Sequence, residues 1–401
     1  MANQKPTSWL EKLEEQLNID VDWMDPDYIK SMPLVPHDQT SNQILLDIAL
    51  SSPSNAELLK QTAQELKGQG WLHIYTRMAV LLASKNIDNI SGRVLLQTIP
   101  SKAYDEQATV DHARLYDQEF KRVGISRKRY CIKIPATGPA LNAAKILSQD
   151  KDADGLAIPT LGTAIFGLSQ AIACSQADMM YISPYFNGES PGIAPPSCSW
   201  HMSQLQSLTS KINAEILAHN DLSLWPDVED PATQHPMSAR VIQMLDTYRR
   251  LYKETGKSQP KMKLASFLSA KEAIAAAEFG CHSATLPPKV IDHLAQLEYD
   301  GSKQPSEGVP KPQPEYEFYQ SGFTTPARLQ KLATVDPLAA KDWDGKLAST
   351  DIDYLANGGA ELERTIREDP ITESRLREGL EVFTAAENKG KALIESVLAS
   401  L

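Results

Sequence analysis

Residues 130 to 147 read YCIKIPATGPALNAAKIL. With period two, Tyr130, Ile132 and Ile134 fall on one side of a short strand and Cys131 and Lys133 on the other; a Pro-Ala-Thr-Gly turn and a helical run follow. Both sides are otherwise apolar or small, the pattern of a parallel strand covered by helices on both faces. Lys133 is the exception, because such a strand takes its ammonium out of water.

Working outward, short apolar runs alternate with longer helical ones. The strand candidates are RVLLQTI (93–99), YCIKIP (130–135), GLAIP (155–159), MMYISPYF (179–186), KMKLASF (261–267) and SATLPP (283–288). Between them lie TVDHARLYDQEFKRV, ending at Gly124, then LNAAKIL, TAIFGLSQAIACSQA, and SAKEAIAAAEF, which stops at Gly280. This alternation predicts a parallel α/β protein. No GxGxxG follows an early strand and polar residues gather at strand ends, so the expected architecture is a (β/α)8 TIM barrel with additional C-terminal helices rather than an open doubly wound sheet. The expected organisation is a barrel over 1–300, a linker or insertion over 301–364 that opens with the Pro- and Gly-rich GSKQPSEGVPKPQP, and a C-terminal helix over 365–401 packing on the barrel. Residues 188–198 and 222–236 read as long loops.

The chain has 401 residues, 42% of them hydrophobic, and a formal net charge of -11, which allows a large core and argues against nucleic-acid or anionic-membrane partners. A small-molecule partner is expected. Cys131, Cys174, Cys198 and Cys281 form no CxxC pair, and His201, His235 and His282 share no ligand spacing, so reduced thiols and no metal are expected. The N-terminus lacks an apolar core and no window approaches a membrane span, which reads as a cytoplasmic protein.

Lys133 has two readings. It is a lysine snorkelling from a strand end, or it is a Schiff-base nucleophile whose burial disfavours the ammonium and frees the amine to attack a carbonyl.

RYCIKIPATGPALNAAKIL resembles the Schiff-base strand of the transaldolase family, and HDQTSNQILLDIAL, GISRKRY, GLSQAIACSQADMMYISPY and LASFLSAKEAIAAAEFGCHSATLPP match in the same order. The resemblance implies a class I, cofactor-free enzyme that transfers a dihydroxyacetone unit between sugar phosphates in the pentose phosphate pathway, and a homo-oligomer. It makes Lys133 the imine-forming lysine. Asp22 is the best match to the general acid and base, with Asp20 and Asp25 close enough to compete. Thr40, Asn42, Ser183 and Ser266 match groups that contact substrate, although each also suits an ordinary cap or backbone contact.

The departures matter as much. Thr163 matches a threonine that holds the proton-shuttling water, but Gln97 stands where the family has a glutamate, and Leu161 where it has an asparagine. An amide orients water without taking its proton. Tyr185 replaces a phenylalanine and brings a hydroxyl to the same place. Gly188 and Leu268 occupy the positions of phosphate-binding arginines, which removes bidentate recognition unless Lys263, Lys271 or Lys289 compensates. Two further readings therefore stand beside the family reaction: a Schiff-base aldolase acting on unphosphorylated or atypical carbonyl substrates, and a catalytically impaired barrel that binds.

Overall fold

The computed structural model describes residues 7–188, 226–302, 311–312 and 318–401. Seven strands, β1 (Asn18–Val21), β2 (Val94–Gln97), β3 (Tyr130–Pro135), β4 (Thr160–Ile165), β5 (Tyr181–Pro184), β6 (Lys261–Leu264) and β7 (Ser283–Leu286), form one sheet. All pairs are parallel, in the order β1-β7-β6-β5-β4-β3-β2. Helices follow most strands, as the alternation predicts. The α/β class and parallel sheet are thus present, with seven of the eight expected strands formed among the described residues.

At the place of an eighth strand lies the short segment 37–40. It bonds to both edge strands: the Val21 N–H donates to the Asp38 carbonyl (2.9 Å) and the Thr40 N–H to that of Val21 (2.9 Å), while the Gln39 N–H donates to the Arg93 carbonyl (3.0 Å) and the Leu95 N–H to that of Gln39 (2.8 Å). Pro36 before it carries no N–H, and Asn42 after it caps the helix Gln43–Ser51, so the extended run is too short to register as a strand.

Three expectations need correction. GLAIP is not a strand; the strand begins after it, at Thr160, where TLGTAI supplies β-branched residues. For the same reason Thr163 to Ile165 lie in β4, and the helix expected over that run begins only at Leu168, after Gly167. Residues 231–234, expected in a loop, form a short helix that opens with Pro231. Cys198, His201, residues 189–198 and 222–225 of the two expected loops, and 303–310 and 313–317 of the expected linker lie outside the described residues.

The strand faces divide as period two requires. Tyr130, Ile132 and Ile134 join the large core beneath the helices, whereas Cys131 packs with Leu95, Leu161 and Tyr181 in a separate apolar cluster on the opposite face. That second face also carries a charged group. Lys263 Nζ lies 2.9 Å from Asp20 Oδ2, 2.8 Å from Asp38 Oδ2 and 3.1 Å from Ser283 Oγ. All four residues are buried, and the ammonium sits 4.6 Å from the Tyr181 ring centroid. His37 adjoins them, with Nδ1 3.1 Å from Asp38 Oδ1 and 3.5 Å from Asp20 Oδ1. Burial opposes its protonation, but the two carboxylates outweigh burial and the repulsion from Lys263 and raise its pKa.

Residues 318–401 pack against the outside. The terminal helix Pro370–Ala399 lies along the helices Gln43–Ser51, Ala56–Glu65 and Trp71–Ser84. Buried Arg240 ties this part together, pairing with Asp336 (3.0 Å) and Asp369 (2.8 Å) and donating to the Phe166 carbonyl at the end of β4 (2.9 Å). Gly359, at φ 83°, touches Gly138 backbone to backbone, and the Glu363 carboxylate accepts the Gly138 N–H (2.6 Å) at the start of the helix after β3. No helix among the described residues is long and apolar enough to cross a membrane.

Two outcomes follow. A Cβ at position 138 would lie 2.4 Å from the Gly359 carbonyl oxygen, so Gly138→Ala destabilises by about 1–3 kcal/mol of overpacking, read as a lower denaturation midpoint. Because the pKa of His37 is raised on folding, its stabilisation is complete below its unfolded value of 6.5 and is lost as the pH climbs through the raised value. The stability gap between the wild type and His37→Gln, measured by urea titration across pH, narrows over that interval.

Candidate active site

Leu95, Cys131, Leu161, Tyr181, Asp20, Asp38 and Lys263 form a lower layer of the interior face, and two residues beyond the first six stand polar ones. Leu95, Cys131, Leu161 and Tyr181 lead to Gln97, Lys133, Thr163 and Ser183, and Asp20 and Asp38 lead to Asp22 and Thr40. Strand register aligns them: Gln97 pairs with Lys133, Lys133 with Leu161, and Thr163 with Ser183. The polar layer is nearer the carboxyl ends of the strands, where barrel enzymes carry their chemistry.

Lys133 is 5% exposed. Its Nζ donates to Thr40 Oγ1 (3.1 Å) and to the Ser41 carbonyl (2.9 Å), so the segment that joins the sheet edges also orients the amine. Asp22 follows β1. Burial raises the pKa of its carboxyl, and the charge of Lys133 is the opposing influence. Its two rivals have other partners: Asp20 meets Lys263, and Asp25 caps the helix Pro26–Ser31 by accepting the Asp27 N–H (2.9 Å). Asp22 is the aspartate left with Lys133 as its cation.

Thr163 Oγ1 and Tyr185 Oη lie 2.9 Å apart and both are buried. A register shift between Thr163 and Ile165, with Ala164 at φ 55°, marks a bulge that bends β4 beside this pair. Gln170 braces it by donating to the Ala164 and Ala136 carbonyls. On the other side of Lys133, Gln97 Nε2 donates to Gln43 Oε1 (2.8 Å). Its Oε1 is buried and has no hydrogen-bond donor among the described residues. It is an acceptor positioned on the strand next to Lys133.

Other expected residues are placed differently. Asn42 uses its side-chain oxygen to cap its helix, accepting the N–H groups of Ile44 (3.0 Å) and Leu45 (3.1 Å). Ser266, at φ 65°, turns its hydroxyl to the Gly188 carbonyl. Ser183 is buried on β5 opposite Thr163. Of the lysines invoked to replace the missing arginines, Lys263 is locked into the lower layer and Lys271 pairs with Glu229 (3.0 Å). Beside Leu268 stands a carboxylate rather than a cation: Glu272 accepts the Leu268 N–H (2.7 Å). Sequence reasoning missed Asp20, Asp38 and Lys263 as a group. The signal was there in KMKLASF, whose Lys263 sits in a strand run just as Lys133 does in YCIKIP.

The family model described as Transaldolase/Fructose-6-phosphate aldolase matches residues 19–188, which hold Asp22, Thr40, Gln97, Lys133, Thr163 and Tyr185. A protein named transaldolase from Synechocystis sp. is 26% identical over 372 residues, covering 90% of this chain and 75% of its own length. One of the same name from Histophilus somni is 27% identical over 341 residues, covering 82% and 93%. A third, from Trichormus variabilis, is 33% identical over 185 residues, 44% of this chain and 53% of its own. These matches together make the chain similar to the transaldolase family, at about 26% identity over most of its length.

Proposed function

We propose that this protein makes and breaks a carbon–carbon bond next to a ketone through a Schiff base on Lys133, with Asp22 as the acid and base. The reading rests above all on the placement of Lys133, buried, held by Thr40 and Ser41 and facing a carboxyl whose pKa burial raises.

The neutral amine of Lys133 adds to the ketone carbon, and loss of water leaves a protonated imine. Asp22 then takes the proton of the hydroxyl on the far carbon of the bond to be broken, the carbon that becomes the aldehyde. That bond's electron pair moves into the imine to give an enamine, and an aldehyde departs. If the enamine attacks a second aldehyde, Asp22 returns the proton to the new hydroxyl, and hydrolysis frees Lys133. This is transfer of a dihydroxyacetone unit, and with sugar phosphates it belongs to the cytoplasmic pentose phosphate pathway. If the enamine is instead protonated at carbon and hydrolysed, the result is a simple aldol cleavage.

A specific observation favours the second outcome on unphosphorylated substrates. The amide of Gln97 stands opposite Lys133 on the neighbouring strand, and the hydroxyls of Thr163 and Tyr185 meet each other on the side of β4, all suited to holding a water. Glu272 stands at Leu268 where a phosphate ester would need a cation. The partner is a small carbonyl compound.

Borohydride reduction with fructose 6-phosphate and with dihydroxyacetone, followed by intact-mass measurement, tests the reading. A wild-type adduct absent from Lys133→Met is expected; no adduct with either compound sinks it, and the preferred compound separates the two substrate classes. Asp22→Asn retains the adduct but loses about 10²–10⁴ in turnover. Because ionised Asp22 is the base and its pKa is raised, the acid limb of the wild-type rate profile lies above the ordinary aspartate value of 3.8. The variant's residual rate lacks that limb.

A further inference from the structure

We propose that Lys263 is a positioning residue for the Lys133 site: its ammonium ties Asp20 of β1 to Asp38 of the segment 37–40, and so sets where Asp22 and Thr40, each two residues further on, stand about Lys133. The proposal rests on the function proposed above for the role of those residues, while its geometry does not.

The ammonium donates to Asp20 and Ser283 and stands 2.8 Å from Asp38 Oδ2 as an ion pair. These come from β1, the segment 37–40 and β7. Lys263 itself sits on β6, so one charge joins four consecutive positions round the sheet. Further bonds make the tie stiff. The Asp38 N–H donates to Asp20 Oδ1 (3.1 Å), and the other oxygen of Asp38 accepts the Arg93 N–H (2.6 Å) at the start of β2. Asp38 therefore holds the segment to the β2 edge through its side chain and to the β1 edge through its backbone. Two residues on, Thr40 Oγ1 accepts from Lys133.

Stability alone is a poor reason for this arrangement. Buried ion pairs repay their desolvation only in part, and apolar groups of similar volume usually serve as well. The same layer shows as much, since Leu95, Cys131, Leu161 and Tyr181 fill its other half without charge. What ions add is a fixed geometry, because a carboxylate displaced from the ammonium is left buried and unpaired. Asp20, His37 and Asp38 come close enough to gather round a cation, and the ammonium of Lys263 is that cation.

The test uses a carbonyl probe that needs no catalysis. Formaldehyde with cyanoborohydride methylates neutral amines, and mass spectrometry of the Lys133 peptide across a pH series gives the midpoint at which Lys133 becomes reactive. Lys263→Met is compared with Asp20→Asn/Lys263→Met. The double variant keeps the net charge of the layer, and the amide it introduces at position 20 keeps an oxygen for the Asp38 N–H, but the tie is gone. The expected result is a Lys133 midpoint displaced by about half a pH unit or more in the double variant, with its melting temperature recovered relative to Lys263→Met. Adduct formation with dihydroxyacetone falls about tenfold or more, as a site residue displaced by a fraction of an ångström would cause. A midpoint and trapping rate equal to the wild type in the double variant would overturn the proposal and leave Lys263 a counter-charge only. If Lys263→Met proves too unstable to purify, the charge-matched double carries the comparison. Wild-type protein that is methylated at Lys133 but traps no ketose would fail the proposed reaction, while the midpoints still decide the tie.

Discussion

The segment 37–40 is hydrogen-bonded along both sides, to β1 through Val21 and to β2 through Arg93 and Leu95, and the site is built on that double attachment. Along an extended chain a slip of one residue exchanges the faces. It would turn Asp38 and Thr40 away from the interior and bring Gln39 in, so that both the oxygen facing Lys133 and the carboxylate facing Lys263 would be lost together. Few backbone bonds in the molecule carry as many consequences.

Two lysines on strands of one sheet are buried on the same interior face, and their neighbours differ. Lys263 faces two carboxylates, which overcome burial and hold its pKa above the ordinary lysine value. Its charge is permanent and its position fixed. Lys133 donates instead to a hydroxyl and a carbonyl, with the carboxyl of Asp22 as its charged neighbour. Burial opposes the charge of a lysine, and the charge of what it is buried against acts beside it.

The outer layer serves the same interior. Arg240 reaches from its helix to the Phe166 carbonyl just past β4, and the Gly138 and Gly359 backbones meet at the head of the helix after β3. Both contacts brace strands that carry polar residues of the site, Thr163 on β4 and Lys133 on β3. The bulge at Ala164 and the left-handed Ser266 lie at the carboxyl ends of their strands. Backbone strain of this kind persists only where surrounding contacts hold it, here Gln170 beside the first and Asn187 beside the second.

Much of this was legible in the sequence. Period two in YCIKIP separated the faces of β3 and singled out Lys133, and Gly124 and Gly280 marked helix ends, because these features depend on near neighbours in the chain. Thr163 to Ile165 were misread as the start of a helix and GLAIP as a strand, since short apolar runs do not declare their period. Asp22 could not be told from Asp20 and Asp25 by spacing; the three part only when Lys263, some 240 residues away, claims one of them and a helix end claims another. Asn42 and Ser266 look like substrate contacts until the helix and the Gly188 carbonyl are seen to occupy them. The sequence by itself determined the alternation of strands and helices and the polar residues facing inward. The tertiary structure decided which charge meets which, because electrostatic interaction depends on distance and burial, and both are set by how the sheet curls rather than by order along the chain.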